Sequence, residues 1–283
     1  MPLEAIAPNI SNVRQLWDRT EKDSHCSSVP EVSLIVVHYR QRLLLERMLQ
    51  SVGEQSLDVE ILIADASGDI ARSALSPNVR VCPVENNGYA AAVNSVALLA
   101  RGDILAVCNA DVILHEDCLY ELVDYLRRNN DAAVVAPQLV NADGSPQNNA
   151  RRFYTWRSAL WARCPLRGVM SHPGFFRRYL MADEPCGAAR SVDWVMGAFF
   201  VIRREALLTP GEVFDTRYRF YMEDVDLCLD MWRRGWKVVQ LPQAVATHMH
   251  GRASRKVISR AGFHHFASFA KFLLKHHGLP QRA

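Results

Sequence analysis

From Val32 to about Arg128 the chain alternates short β-branched runs with helix-patterned stretches, and that alternation leaves few folds open. Val32–Val37, Ile61–Ala64 and Ile104–Val107 are apolar throughout rather than every second residue, as strands covered on both faces are. Between the first two, Leu43, Leu44, Arg47, Met48, Leu49 and Val52 recur at helical spacing, and 89–100 is an Ala-rich helix closed by Gly102. Right-handed βαβ units on a mostly parallel sheet follow. Such sheets bind ligands beyond the carboxyl ends of their strands. That rule selects His38-Tyr39-Arg40, Asp65-Ala66-Ser67 and Asn109-Ala110-Asp111.

The rest of the chain adds parts to this frame. Residues 1–30 are polar, end at Pro30 and read as an extension with a short helix around 13–20. Residues 141–190 read as an insertion in which arginines (Arg151, Arg152, Arg157, Arg163, Arg167, Arg177, Arg178) mix with Trp156, Trp161, Phe175 and Phe176. This is either a binding surface or a helical hairpin packed on the core. Trp194–Ile202 reads as a strand or buried helix containing Gly197, and Trp236–Leu241 as another strand. In the tail, 251–283, Phe263, Phe266, Ala270 and Leu273 share one helical face, for packing on the core or for contact with a membrane surface.

With 283 residues, 49% hydrophobic and 22% charged, the chain can bury a full core, and one catalytic domain over 31–250 accounts for it. Thirty-three basic against 30 acidic residues leave +3, too little for a dedicated nucleic-acid binder. The seven cysteines (Cys26, Cys82, Cys108, Cys118, Cys164, Cys186, Cys228) include no C-x-x-C pair and read as reduced thiols of a cytoplasmic protein. The N-terminus lacks the basic start and apolar stretch of a signal peptide.

Glu223, Asp224 and Asp226 crowd between the aromatic Phe220-Tyr221 and the apolar Leu227-Cys228-Leu229, where a solvated acidic face would spread its charges. Asp226 suits the first turn of the helix that follows. Asp65 and Asp111 each close an apolar run, and acids converging at strand ends suit a divalent metal with a phosphate-bearing ligand. Any one of them alone would more often cap a helix or form a turn. In His248-Met249-His250 an extended backbone turns both imidazoles one way, so that one could reach a metal, although a lone histidine here is more often structural, and Gly251, Arg252, Ser254, Arg255 and Lys256 behind them could instead contact phosphates.

These segments, taken in order, resemble the family 2 glycosyltransferases of the GT-A fold. The likeness runs through Ser33–Tyr39, Ser51, Gln55, Ile61–Ser67, Glu85–Asn94, Gly102-Asp103 and Asn109-Ala110-Asp111, then Trp194–Ala198, Phe214-Asp215, Glu223–Leu227 and His248. The resemblance implies a nucleoside held by Asp65, with His38 and Tyr39 lining the base pocket, and Asn87, Gly88, Asn94, Asn109 and Ala110 on the donor side. It implies a Mg²⁺ or Mn²⁺ ion at Asp111, completed by His248, with Asp224 as base and Trp194, Gly197 and Glu223 toward the acceptor. Asn109 departs from the pattern, standing where the family has the first acid of Asp-x-Asp and lowering the charge offered to a metal.

The wording around Trp194-x-x-Gly197 and Phe220–Asp224 is similar to bacterial rhamnosyltransferases that use dTDP-rhamnose. The resemblance implies a dTDP- or UDP-sugar donor and a saccharide or lipid-linked saccharide acceptor in surface-glycan synthesis, with peripheral contact on the cytoplasmic face of the inner membrane. Two rivals stand beside it. A sugar nucleotidyltransferase would want a Gly-rich basic loop where this chain has His38-Tyr39-Arg40-Gln41-Arg42, and a catalytically inactive nucleotide- or glycan-binding module would fit Asn109 but not the retained acids. A dinucleotide oxidoreductase lacks its G-x-G-x-x-G.

Overall fold

In the computed structural model, residues 29–70, 76–164, 170–184, 187–249 and 260–280 are described. In chain order they form β1 (Val32–His38), α1 (Arg42–Gly53), β2 (Val59–Asp65), β3 (Val79–Pro83), α2 (Tyr89–Ala97), β4 (Ile104–Asn109), β5 (Val112–Leu114) and α3 (Cys118–Arg128). Then come β6 (Ala132–Val140), β7 (Ala150–Arg151), α4 (Trp156–Trp161), α5 (Gly174–Tyr179), β8 (Arg190–Ser191), β9 (Trp194–Val195) and β10 (Phe199–Arg203). α6 (Glu223–Arg233), β11 (Lys237–His248) and α7 (Arg260–His276) close the chain.

Among the described residues a nine-stranded sheet runs β3-β2-β1-β4-β10-β6-β11-β5, with β8 also on β11. Its N-terminal half is parallel and in register, so His38 lies opposite Asp65 and Val37 opposite Asn109. That register puts the three strand-end motifs in one row at the carboxyl edge. β10 enters antiparallel between β4 and β6, while β6 and β11 return to parallel pairing.

Both faces are covered, which is why β1 and β2 read as continuous apolar runs. On one face Leu45 and Met48 of α1 pack with Leu119, Leu122 and Leu126 of α3; on the other lie Ala90, Val93 and Val96 of α2, Leu229 of α6 and Phe272 of α7. At about 25 cal/mol per Å², a fully buried Leu or Phe contributes roughly 2–3 kcal/mol.

Three expectations change. Trp194–Ile202 is neither one strand nor a helix: β9 and β10 are separated at Gly197, which packs against Asp224. The strand from Lys237 runs through Pro242 to His248, with a pairing irregularity between Leu241 and Val245, so His248 belongs to the sheet rather than to a turn after it. The tail helix does dock, but not by its most hydrophobic stripe. Phe263 and Phe266 are 72% and 62% exposed, whereas Ser268 and Phe272 on the opposite side are buried. Ser268, Lys275 and His276 share the docking side with Phe269 and Phe272, and hydrophobic patterning cannot see the part of the seam built from hydrogen bonds. In the insertion, Phe176 and Tyr179 of α5 enter the core and Trp161 meets Phe175 edge-on. The expected helix at 13–20, Cys26, Arg167, Cys186, His250 and the Gly251–Lys256 stretch lie outside the described residues.

Candidate active site

At the carboxyl ends of β1 and β2 the chain builds a hydrogen-bonded turn. Asp65 Oδ1 accepts from the Ser67 N–H (3.0 Å), the Ser67 hydroxyl (3.1 Å) and the Gly68 N–H (2.9 Å), and Oδ2 accepts from the Ile70 N–H at 3.4 Å. His38, fully buried, places Nε2 2.8 Å from Asp69 Oδ1, while its buried Nδ1 has no hydrogen-bond partner among the described residues. The Ser67 hydroxyl and His38 together hold the Asp69 carboxyl below its usual value. Tyr39 is half-exposed, with the Arg40 guanidinium 5.3 Å from its ring centre and Arg40 itself left-handed at φ 56°.

His38, Asp65 and Asp69 lie close enough to share an ion, with ligand atoms within 4.8 Å of one another. Asp65 Oδ1, however, already receives three donors. This cluster suits a rigid platform better than a cation cage. Asp69 was not among the sequence candidates; its signal is the Ser67-Gly68-Asp69 turn chemistry following a strand-end acid.

A second polar group gathers around Asp111 and His248. His248 Nδ1 lies 3.0 Å from Gln147 Oε1, and the Gln147 amide nitrogen donates to the His248 carbonyl (3.0 Å) and Asn141 Oδ1 (3.0 Å). Gln147 Oε1 can accept from Nδ1–H, which leaves Nε2 facing Asp111 Oδ1, 3.5 Å away. A histidine oriented through its other ring nitrogen beside a carboxylate is the donor set a divalent ion uses. The Met249 N–H donates to the Asp111 carbonyl and so ties the end of β11 to this motif. Ala110 is buried, and the Asn109 N–H donates to the Ala198 carbonyl at 2.8 Å.

The third element is the start of α6. Tyr221 and Met222 are both left-handed, at φ 66° and 73°, and Glu223 and Asp224 follow at once. For non-glycine residues that conformation costs on the order of 1–3 kcal/mol each, and it persists only where the surroundings over-determine it. Here α7 supplies the determination. Ser268 donates to the Phe220 carbonyl (2.7 Å), His265 stacks on Tyr221 at 4.9 Å, and Lys271 donates to the Arg217 carbonyl (2.8 Å). Asp226, expected only to serve the first turn of a helix, is instead the main anchor of α7. It accepts from Lys275 (2.7 Å) and the Tyr218 hydroxyl (3.1 Å), and His276 Nε2 lies 2.6 Å away.

Asp224 and Glu223 are adjacent and unequally served. Asp224 Oδ2 accepts from the Gly197 N–H at 3.0 Å and Oδ1 from the Val225 N–H at 2.8 Å, whereas buried Glu223 Oε2 has no partner among the described residues. Burial pushes both carboxyls up, and Asp224 pushes Glu223 further; the two N–H donors and the Arg151 guanidinium offset the effect at Asp224. The N–H donors therefore favour the charged form at Asp224 more than at Glu223.

Among the other candidates, Trp194 is buried between the Arg151 guanidinium, 4.9 Å from a ring centre, and Tyr154, stacked at 5.9 Å, and its indole N–H donates to the Arg152 carbonyl. Asn87 is exposed and donates to Glu85 at 2.8 Å. Gly88 is a close-approach glycine: at φ 118°, a Cβ there would lie 2.5 Å from the Arg219 carbonyl oxygen. Asn94 grips the Phe214 backbone, its amide donating to the Phe214 carbonyl (2.7 Å) and its side-chain oxygen accepting from the Phe214 N–H (3.0 Å).

A mostly parallel sheet with acids gathered at its carboxyl edge, and a strained helix start bringing two more, is the arrangement of a GT-A glycosyltransferase. The chain belongs to glycosyl transferase family 2, whose sequence pattern matches residues 33–207. It is 28% identical over 271 residues to an N-acetylglucosaminyl-diphospho-decaprenol L-rhamnosyltransferase of Mycobacterium tuberculosis, covering 87% of this chain and 85% of that one. It is 31% identical over 261 residues to the rhamnosyltransferase WbbL of Escherichia coli K12, covering 89% and 96%. In fold it resembles the mannosyltransferase PcManGT from Pyrobaculum calidifontis, solved with GDP-Man and Mn²⁺: the TM-score is 0.57 at 19% identity, over 92% of this chain and 71% of that one. Among the described residues, no helix is long and apolar enough to cross a membrane.

Proposed function

We propose that this protein is an inverting, metal-assisted glycosyltransferase that moves L-rhamnose from dTDP-L-rhamnose onto a hydroxyl of a lipid-linked saccharide in the synthesis of a bacterial surface glycan. The observation that carries the mechanism is the asymmetry of the acidic pair, in which Asp224 is served by two N–H donors while Glu223 Oε2 has none among the described residues. The two rhamnosyltransferase relatives support the sugar, and the diphospho-decaprenol in one relative's name supports a lipid-linked acceptor.

Asp224 takes the proton of the acceptor hydroxyl as that oxygen bonds to the anomeric carbon. The bond from that carbon to the diphosphate oxygen breaks with its electron pair, and attack from the opposite face inverts the centre. A positioned base contributes about 10²- to 10⁴-fold. Neutral Glu223 is left to hydrogen-bond an acceptor hydroxyl, and the Asp65 platform with His38 and Tyr39 receives the nucleoside. Asp111 and His248 would hold Mg²⁺ or Mn²⁺, which when bound stabilises charge on the departing diphosphate.

The outward face of α7, with Phe263, Phe266 and Leu274 exposed, and Leu160 on α4, supports peripheral contact with the membrane that carries the acceptor. Replacing Phe263 and Leu274 together by serine is expected to reduce co-sedimentation with anionic phospholipid vesicles and leave donor binding intact.

The decisive experiment is a thermal-shift panel of dTDP-, UDP- and GDP-sugars with and without Mg²⁺ or Mn²⁺, followed by assay of nucleoside diphosphate release on adding a prenyl-diphospho-N-acetylglucosamine. Stabilisation by dTDP-rhamnose with metal, and acceptor-dependent release of dTDP, are the expected results. Stabilisation without release would identify a binding module; no shift with any nucleotide would remove the reading.

A further inference from the structure

Gly197 lies where β9 gives way to β10, and each side of it is tied to a different part of the site. Its own N–H donates to Asp224 Oδ2 (3.0 Å), the next carbonyl, that of Ala198, accepts from the Asn109 N–H (2.8 Å), and the preceding N–H, of Met196, donates to the Asn149 carbonyl (2.8 Å). The backbone here runs directly against the acid, since a Cβ on Gly197 would sit 3.4 Å from Asp224 Cβ and 3.7 Å from Oδ2. A glycine has two torsions with little to restrain them, so the direction of its N–H must be fixed from outside.

The Gly197 carbonyl supplies that fixing point, because it accepts from the Tyr89 hydroxyl at 2.9 Å. Tyr89 is the first residue of α2 and is itself held: its N–H donates to the Arg219 carbonyl (2.9 Å) and its ring lies 5.9 Å from Phe214. Phe214 is in turn gripped on both main-chain groups by Asn94, on the same helix. We propose that Tyr89 is a positioning residue for the base: its hydroxyl fixes the Gly197 carbonyl, and the Gly197 N–H thereby holds Asp224 in place to receive the acceptor's proton. This rests on the reading of Asp224 as base.

Burial, with the Asp224 and Asp111 carboxylates nearby, pushes the phenol up and favours its protonated, donating form. The relay joins the two halves of the chain. α2 follows the Asn87-Gly88 turn, while Asp224 comes from the second half of the sequence on the same face of the sheet, and the Tyr89-to-Gly197 bond spans 108 residues of sequence.

Tyr89→Phe removes the hydroxyl and keeps the ring against Phe214. With dTDP-L-rhamnose and a water-soluble prenyl-diphospho-N-acetylglucosamine, kcat is expected to fall about tenfold, the equivalent of one buried hydrogen bond. Donor KM and the donor-induced thermal shift are expected to stay within about twofold, because free-enzyme donor contacts are untouched. The acid limb of the kcat–pH profile moves to higher pH, since a carboxylate that loses an oriented N–H donor titrates higher.

Gly197→Ala restricts the two torsions between this N–H and the Tyr89-bound carbonyl, with its Cβ in van der Waals contact with Asp224, and is expected to shift kcat and the acid limb with donor KM unchanged, which keeps the test open if the tyrosine variant does not fold. Wild-type kcat and an unmoved acid limb in either folded variant, with Asp224→Asn inactive, overturn the relay; a lowered melting temperature alone assigns Tyr89 a structural role and overturns it too. If Asp224→Asn itself turns over normally, the base reading fails first.

Discussion

The turn after β2 and the start of α6 are both acidic, both at the carboxyl edge of the sheet, and held in opposite ways. Asp65 is satisfied by donors two to five residues ahead of it, so the turn would assemble wherever those residues follow an apolar strand. Glu223 and Asp224 are set by contacts from 27 to about 50 residues away: Gly197 on one side, and on the other α7, which pins the segment through Phe220, Tyr221 and Asp226. Even so, one carboxylate oxygen is left unserved and two residues are strained. A saturated turn makes a stiff binding platform. An under-served, over-determined acid pair is what the proposed proton transfer from an acceptor hydroxyl requires, and a rigid scaffold keeps it so.

The largest effect that tests this contrast is at Asp224. Asp224→Asn keeps the shape and the two N–H groups nearby but cannot take a proton, so kcat is expected to fall roughly 10³-fold with donor binding within a few-fold of wild type. A kcat within tenfold of wild type, measured by release of nucleoside diphosphate, would erase the difference between the two regions.

Asp65→Ala should fail in the complementary manner. It strips the acceptor from the N–H groups of Ser67 and Gly68, which costs about 2–3 kcal/mol of stability for groups that solvent reaches only in part. It should abolish the dTDP-dependent thermal shift, while any donor still bound at saturation turns over at a rate near wild type. If Asp65→Ala instead lowered saturated kcat as far as Asp224→Asn does, the platform reading would fall.

The same contrast explains which parts of the molecule are legible in sequence. Val32–His38, Val59–Asp65 and Ile104–Asn109 announce themselves because both sheet faces are covered, and the strand-end rule then leads directly to His38, Asp65 and Asp111. Asp65's turn is equally visible, being written in Ser67 and Gly68. What sequence does not reveal is long-range polar docking. Asp226 reads as a helix-start acid and is in fact the socket for Lys275 and His276; Tyr89 reads as the first residue of an Ala-rich helix and is in fact bonded to Gly197. The stripe of Phe263 and Phe266 is a true periodic signal that points to the wrong side of α7. Periodicity reports how much apolar surface a helix has, not which neighbour it meets.

Lys275→Met tests whether that docking holds the acid pair. Lys275 joins Asp215 (2.8 Å) and Asp226 (2.7 Å), and removing it leaves buried Asp226 with Tyr218 and His276. A loss of about 2 kcal/mol in urea unfolding is expected, well below the cost of a fully buried pair because Lys275 retains some solvent. The kcat should fall with it, since Tyr221 and Met222 lose part of what holds them left-handed. Unchanged kcat in a destabilised protein would show that α7 supports the fold but not the site.

The smallest expected effect, and the one that reaches the core of the contrast, is at Glu223. Its folded-state pKa is raised by burial and by Asp224, so its neutral form is favoured in the native protein. The corresponding stability is fully present below the unfolded value, about pH 4.3, and is lost as pH rises through the raised native value. Glu223→Gln keeps the shape and removes the proton from play. Its melting temperature should match wild type in acid and pull ahead as pH rises, by about a degree or two for each titrated half kcal/mol in a chain of this size. Parallel curves across pH 5–9 would mean that Glu223 is ionised beside Asp224 throughout, and that two like charges share the site. In that case the unserved oxygen would mark a place for a cation rather than for a proton, and the α6 start would resemble the Asp111–His248 pair more than it differs from the Asp65 turn.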